Sequence, residues 1–142
     1  MLALIAACLI SLPGPVTEPF GPEGRYAGHW GIDVEVPAAA PVAAPLEGVV
    51  TFAGEVAGVK SVTVRDGRFR VSLSYLGRVD VEVGQVVRRG ELVGRAGTPH
   101  GAPGLHVGLR VGDEYVDPVP YSRCAGTLRL LPPMLSGPAS KD

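Results

Sequence analysis

Along much of this chain apolar and polar residues alternate in short runs. Residues 32–36, 48–53, 61–65, 69–75, 79–83 and 106–111 are rich in Val and change character from one position to the next. That is the period of a strand with one buried face. Asp66-Gly67 stands between two of these runs and predicts a two-residue hairpin, because Gly accepts the positive φ that a type I′ turn demands. No window carries an apolar stripe of helical period, and twenty Gly with fourteen Pro interrupt the chain too often for long helices. The pattern predicts an all-β domain. In a strand beginning at Leu105, the residues Leu105, Val107 and Leu109 share one face, and His106, Gly108 and Arg110 share the other.

The ends read differently. Residues 1–12 form an almost unbroken apolar run, shorter than the roughly 20 residues that span a bilayer but suited to the core of an export signal. No Lys or Arg precedes Arg25, and Pro13-Gly14-Pro15 follows the run, which argues against a buried helix or strand there. The expected organisation is a signal segment at 1–20, one folded domain at 21–122 and a loose tail at 123–142. Within it, residues 13–27 read as a Pro/Gly linker and residues 130–142 as a segment without structure of its own. Ile5-Ala6-Ala7-Cys8 has the form of a lipoprotein cleavage box, with fewer residues before it than an export signal needs. Cleavage would remove Cys8 and leave Cys124 unpaired, so no internal disulfide is expected. The protein is expected outside the cytoplasm, secreted or associated with the cell wall. It would meet a membrane only in transit or through its N-terminal signal.

Composition narrows the function classes. A chain of 142 residues suits one domain with a modest core. Thirteen basic and fourteen acidic residues leave a net charge of −1, without the basic stripe that phosphate-backbone binding needs, so nucleic acid is not an expected partner. Lys60 and Lys141 are the only lysines and lie far apart, which removes several lysine-based chemistries. Arg88-Arg89 reads as a solvated turn tip with no role.

Candidate chemistry lies in two short segments, His29-Trp30-Gly31-Ile32-Asp33 and Leu105-His106-Val107, in a chain with three histidines. Taken singly, each histidine is best read as an imidazole satisfied by a hydrogen bond, and Asp33 as a turn cap or a solvated carboxylate. Taken together, two imidazoles and one carboxylate are what a catalytic zinc site uses when its fourth position is open to water.

These segments and their neighbours resemble the LytM/lysostaphin-type zinc endopeptidases, which cut peptide cross-links in bacterial cell walls. Residues 28–34 match the family's Gly-His-x-Gly-Ile/Val-Asp setting, and residues 44–54 its Ala-x-x-x-Gly-x-Val strand. Residues 83–94 match its Val-x-x-Gly-x-x-x-Gly unit, and residues 105–120 its closing Leu-His-x-x-x-Arg and Val-Asp-Pro strand pair. The resemblance covers residues 25–121. It implies a compact antiparallel β-sheet/barrel-sandwich hybrid with little helix, zinc held by His29, Asp33 and His106, and cleavage of peptidoglycan peptides. It also implies a structural role for Asp117-Pro118.

Two positions depart from the family. Its proton-handling histidines fall on Tyr75, in Leu73-Ser74-Tyr75-Leu76, and on Gly104, in Gly104-Leu105-His106. Tyr75 is either an ordinary strand aromatic or a hydrogen-bond donor to a developing oxyanion; a phenol is a poor base at neutral pH. His100, in the Gly/Pro-rich loop before the ligand strand, is the remaining imidazole and a candidate for proton transfer. A divergent branch of the family also lacks the usual histidines, but carries cysteines where this chain has Gly101 and Gly104. Two functions stay open: a zinc endopeptidase acting on peptidoglycan, and a non-catalytic relative that binds wall fragments or regulates a partner wall hydrolase. A third, a lipoyl- or biotinyl-type carrier, needs a lysine at a hairpin tip that neither Lys60 nor Lys141 supplies. Arg110 would meet either a substrate carboxylate or a surface salt bridge.

Overall fold

The computed structural model describes residues 8–123. Twelve strands follow in chain order among the described residues: β1 (Val16–Glu18), β2 (Gly21–Glu23), β3 (Ala27–His29), β4 (Ile32–Val34), β5 (Pro41–Ala43), β6 (Gly48–Val56), β7 (Val59–Asp66), β8 (Phe69–Val79), β9 (Val86–Val87), β10 (Leu92–Ala96), β11 (Leu105–Val111) and β12 (Glu114–Val116), with a short helix α1 (Val119–Ser122). Ten of them form one sheet with the path β1-β4-β11-β8-β7-β6-β9, to which β10 adds beside β8, β5 beside β10 and β12 beside β11. The pairings are antiparallel, and β2–β3 make a separate two-stranded sheet. The all-β, antiparallel architecture with little helix expected from the alternation is what forms. No helix among the described residues is long and apolar enough to cross a membrane.

Alternation fixes which face is buried. Val62, Val64, Val71, Leu73, Leu105, Val107 and Leu109 point into a core that also takes Ile32, Val34, Leu46 and Val50. Each such side chain contributes roughly 1.5–3 kcal/mol by leaving water. The intervening residues of β7, β8 and β11 are left on the opposite, open face.

Three local details differ from the sequence expectation. The β7–β8 loop is Gly67-Arg68 rather than Asp66-Gly67, since Asp66 still pairs with Phe69; positive φ is confined to Gly67, at 61°, which is the pattern of a type II′ turn. Residues 80–83 leave the sheet in a turn where Gln85 N–H donates to Glu82 O, and Val81 alone stays buried. Residues 13–27 are not a linker: β1 pairs along the outer edge of β4, whose backbone groups would otherwise go unpartnered, and β2–β3 form their own hairpin.

The packed body also reaches further toward the N-terminus than residue 21. Ile10 is fully buried in the core, with Leu9 and Leu12 against it. Leu9 N–H and Ile10 N–H donate to Tyr121 O at 3.1 and 3.2 Å, and Ser11 N–H to Pro45 O at 2.9 Å. Arg89, given no role above, donates from Nη2 to Cys8 O at 2.8 Å and Leu9 O at 2.7 Å. Cys8 is disulfide-bonded, which corrects the expectation that no disulfide forms; it rides on a segment anchored by Ile10. The chain's other cysteine, Cys124, and the expected unstructured segment at 130–142 lie outside the described residues.

Candidate metal centre

β4 and β11 are neighbours, and their register sets His106 directly across from Asp33. Both flanking residues of Asp33, Ile32 and Val34, are buried, so alternation turns the carboxylate outward beside the imidazole. His29 ends β3 and reaches the same point from the loop leading into β4. Asp33 Oδ1 lies 2.9 Å from His106 Nδ1 and 3.2 Å from His29 Nε2. The imidazoles meet edge to face with centroids 4.9 Å apart. The three donor atoms lie within 4.8 Å of one another, close to the span of one ion with bonds of about 2.0–2.2 Å.

The hydrogen bonding fits a cation. His29 Nδ1 lies 2.8 Å from Pro19 O. A carbonyl can only accept, so Nδ1 donates to Pro19 O, and Nε2 is the ring nitrogen turned to Asp33, where the two side chains could share a cation. Backbone orientation of a histidine through its far nitrogen is the usual support of a metal ligand. Gly31 adds a steric condition, because a Cβ there would stand 2.6 Å from His106 Nε2 and 2.5 Å from Val107 O. The ring rests where that side chain would be.

The donors are open to one side, with 24 % of the His29 side chain, 25 % of His106 and 16 % of Asp33 exposed. A cavity of about 390 Å³ lies against them, lined by His29, Trp30, Val59, Ser74, Tyr75 and His106. A second, of about 340 Å³, continues along the open face of the sheet. Its floor is Ser61, Thr63, Ser72, Ser74, His106 and Gly108, walled by Trp30 and Tyr115 on one side and Phe52 on the other. The floor hydroxyls pair across the strands, Ser61 to Ser74 at 3.0 Å and Thr63 to Ser72 at 2.7 Å. Trp30 is held by its own Nε1–H to Ala27 O at 2.9 Å and by an edge contact with Tyr115.

Tyr75 sits where β8 changes partners. Ser74 pairs with His106 of β11, whereas Leu76 pairs with Ala96 of β10. On the other side Ser61 faces Ser74 and Lys60 faces Leu76, so Tyr75 is the extra residue of a bulge, with φ of 70°. A non-Gly residue held there is strained, and such residues cluster at functional sites. His100 occupies the middle of a 3-10 turn, Pro99–Gly101, between β10 and β11. Pro99 and Ala102, to either side of it, line a third cavity that includes Thr17, Glu18 and Asp33. Gly104 is pressed on β4: a Cβ there would stand 2.5 Å from Val34 O. The structure therefore brings together His29, Asp33 and His106 and sets Tyr75 beside them. Sequence reasoning missed the Pro19 carbonyl, the Gly31 contact and the hydroxyl floor; the alternation of β7 and β8 carried the signal for the last.

The model of peptidase family M23 matches residues 27–118. No match is found among curated protein sequences. Among solved structures, a putative peptidase M23 from Pseudomonas aeruginosa is 32 % identical with a TM-score of 0.70, over 84 % of this chain and 52 % of that one. The catalytic domain of the antimicrobial peptidase lysostaphin from Staphylococcus simulans is 24 % identical with a TM-score of 0.65, over 77 % of this chain and 92 % of that domain. A zinc containing peptidase from Vibrio cholerae is 24 % identical with a TM-score of 0.65, over 84 % of this chain and 38 % of that one. The chain thus spans about half the length of the Pseudomonas protein and less of the Vibrio one, and at 24 % identity the last two likenesses are of fold. Since the family's model runs over more than half of the sequence and through both donor segments, the chain belongs to peptidase family M23, the LytM/lysostaphin-type peptidases.

Proposed function

We propose that this domain is a zinc-dependent endopeptidase acting on peptidoglycan peptides, with His29, Asp33 and His106 as the zinc ligands. The observation that carries the reading is the approach of two imidazoles to one oxygen of Asp33, on an open wall of a chain that belongs to a peptidase family. The Vibrio neighbour is a zinc containing peptidase, in keeping with this donor set. Zinc bound here would polarise a peptide carbonyl and make water nucleophilic near neutral pH.

The chain's own residues do the rest. The Pro19 carbonyl orients His29, and Gly31 leaves the His106 ring its place. Trp30, Tyr115 and Phe52 wall a trough that fits an extended peptide over the hydroxyl floor. Tyr75 donates a hydrogen bond to the oxyanion that develops on the carbonyl. His100, on the loop before β11, takes up and returns the proton. We place the protein outside the cytoplasm, secreted or wall-associated, where a disulfide at Cys8 is stable and the substrate lies; contact with a membrane is limited to export or an N-terminal signal.

Gly104 favours a second reading. Backed against Val34 O, it offers no side chain where the family has a proton-handling histidine. On that reading the three donors clamp β4 to β11, and the trough binds wall fragments or a partner wall hydrolase.

The two are separated by digesting purified peptidoglycan with the full chain, first stripped of metal and then restored with zinc, and counting new amino termini by mass spectrometry. Zinc-dependent termini are expected, falling at least ~10-fold in Tyr75→Phe and in His100→Ala with zinc still bound. Their absence on several wall types would establish the non-catalytic reading.

A further inference from the structure

The open face of the central strands carries a row of charge that the metal centre does not use. Arg65 of β7 stands opposite Arg70 of β8, Arg70 opposite Arg110 of β11, and Arg110 opposite Tyr115 of β12. Along each strand these residues are two positions from the floor residues Thr63, Ser72 and Gly108, so they share the trough's face and lie beyond its end.

Like charges directly opposite one another destabilise a sheet, and here there are three in a line. Among the described residues, ion pairs join His29 and His106 to Asp33, Lys60 to Glu55, and Arg78 to Asp80. Among the described residues, none of the three arginines has a carboxylate within 4.0 Å. Arg65 reaches only the carbonyl of its own turn, Gly67 O, at 3.5 Å, and Arg110 lies over the Tyr115 ring at 5.5 Å from its centre. All three are partly buried, where an unbalanced charge matters more than at a fully solvated position.

The trough floor bears no ionisable side chain other than His106, so this row is the first fixed charge that a peptide leaving the three-residue cluster would meet. His106 and Arg110 are four residues apart on one strand, roughly 14 Å at about 3.4 Å per residue. An extended peptide covers that span in about four residues. Guanidinium groups recognise carboxylates through paired hydrogen bonds. We infer that Arg65, Arg70 and Arg110 form a carboxylate-recognition subsite, selecting acidic peptides whose free carboxylate lies three or four residues from the bond held over His29, Asp33 and His106. This rests on the reading that peptides occupy the trough.

The test uses the full chain stripped of metal, so that neither turnover nor direct carboxylate–metal bonding contributes. Two probes are compared by calorimetry, N-acetylated hexaglycine with a free C-terminal carboxylate and the same peptide as its C-terminal amide. The acid should bind at least ~10-fold more tightly at low salt, and the preference should shrink as salt screens the row. Arg70→Gln and Arg110→Gln should each bring acid and amide within about twofold, while Arg70→Lys keeps part of the difference. Both Gln variants should melt no lower than the wild type, because each relieves like-charge repulsion. Equal binding of acid and amide by the wild type, or a preference that survives in both Gln variants, would overturn the inference. Tighter binding of inorganic phosphate than of the acidic peptide would overturn it as well. Acid selectivity in a protein without zinc-dependent cleavage would refute the peptidase reading and keep the subsite; zinc-dependent cleavage of both probes at one rate would do the reverse.

Discussion

Gly31 governs where His106 can stand. A single methyl at that position would meet the ring at 2.6 Å and the Val107 carbonyl at 2.5 Å, closer than packed atoms approach, and β11 is too well paired to retreat from it. Gly31→Ala should therefore swing the imidazole off Asp33 while leaving the core intact. Zinc affinity, read by competition with a chromophoric chelator, is expected to fall ~10–100-fold, the usual effect of disturbing a ligand's support, with the unfolding midpoint of the metal-free protein within a few degrees. Unchanged affinity would mean that His106 binds in another rotamer. The grouping of His29, Asp33 and His106 was legible from the sequence, since two histidines and an aspartate at family spacings need only side-chain identity to be noticed. Pro19 was not, because its contribution is a carbonyl oxygen that every residue possesses. Tyr75 was legible as a position and not as a strained one, since its positive φ arises from the competing demands of β10 and β11.

At the scale of elements, alternation located the long strands because each has one face in the core, and a period of two survives local irregularity. What it could not show were the short strands of the N-terminal stretch. β1 and β2 are exposed along their length, so nothing in their side chains marks them; they form because the edge of β4 and the start of β3 offer backbone partners. The β6–β7 turn was also unmarked. Ala57, at φ 52°, takes a position where Gly or Asn is the usual signal, next to Gly58 at 81°. The packing of β11 on β4 explains why Gly104 is glycine. Gly104→His, which would write the family's missing histidine back into the chain, is expected to lower stability by roughly 1–3 kcal/mol through overpacking against Val34 O, and not to raise cleavage. Urea denaturation and the peptidoglycan digest check the two halves of that expectation; a stable variant with higher turnover would show that β4 yields easily.

Over the whole molecule, the segment beginning at Cys8 closes the structure. Ile10 fills the core, Leu9 and Ile10 bond to Tyr121 O, and Arg89 binds the carbonyls of Cys8 and Leu9. Composition alone reads this apolar stretch as an export signal, because an apolar run looks the same whether it is bound for a membrane or for a core. Ile10→Ala should cost about 2–5 kcal/mol, measured by urea unfolding; a cost under about 1 kcal/mol would mean that this segment is dispensable to the fold. The contacts of His29, Asp33 and His106 make a second closure, joining β3 and β4 on one side to β11 on the other, and zinc is proposed to sit among them. The zinc content of purified protein decides whether a metal holds that joint. Elemental analysis should find about one zinc per chain in the wild type and close to none in His106→Ala after adventitious metal is removed. Equal zinc in the two proteins would contradict it.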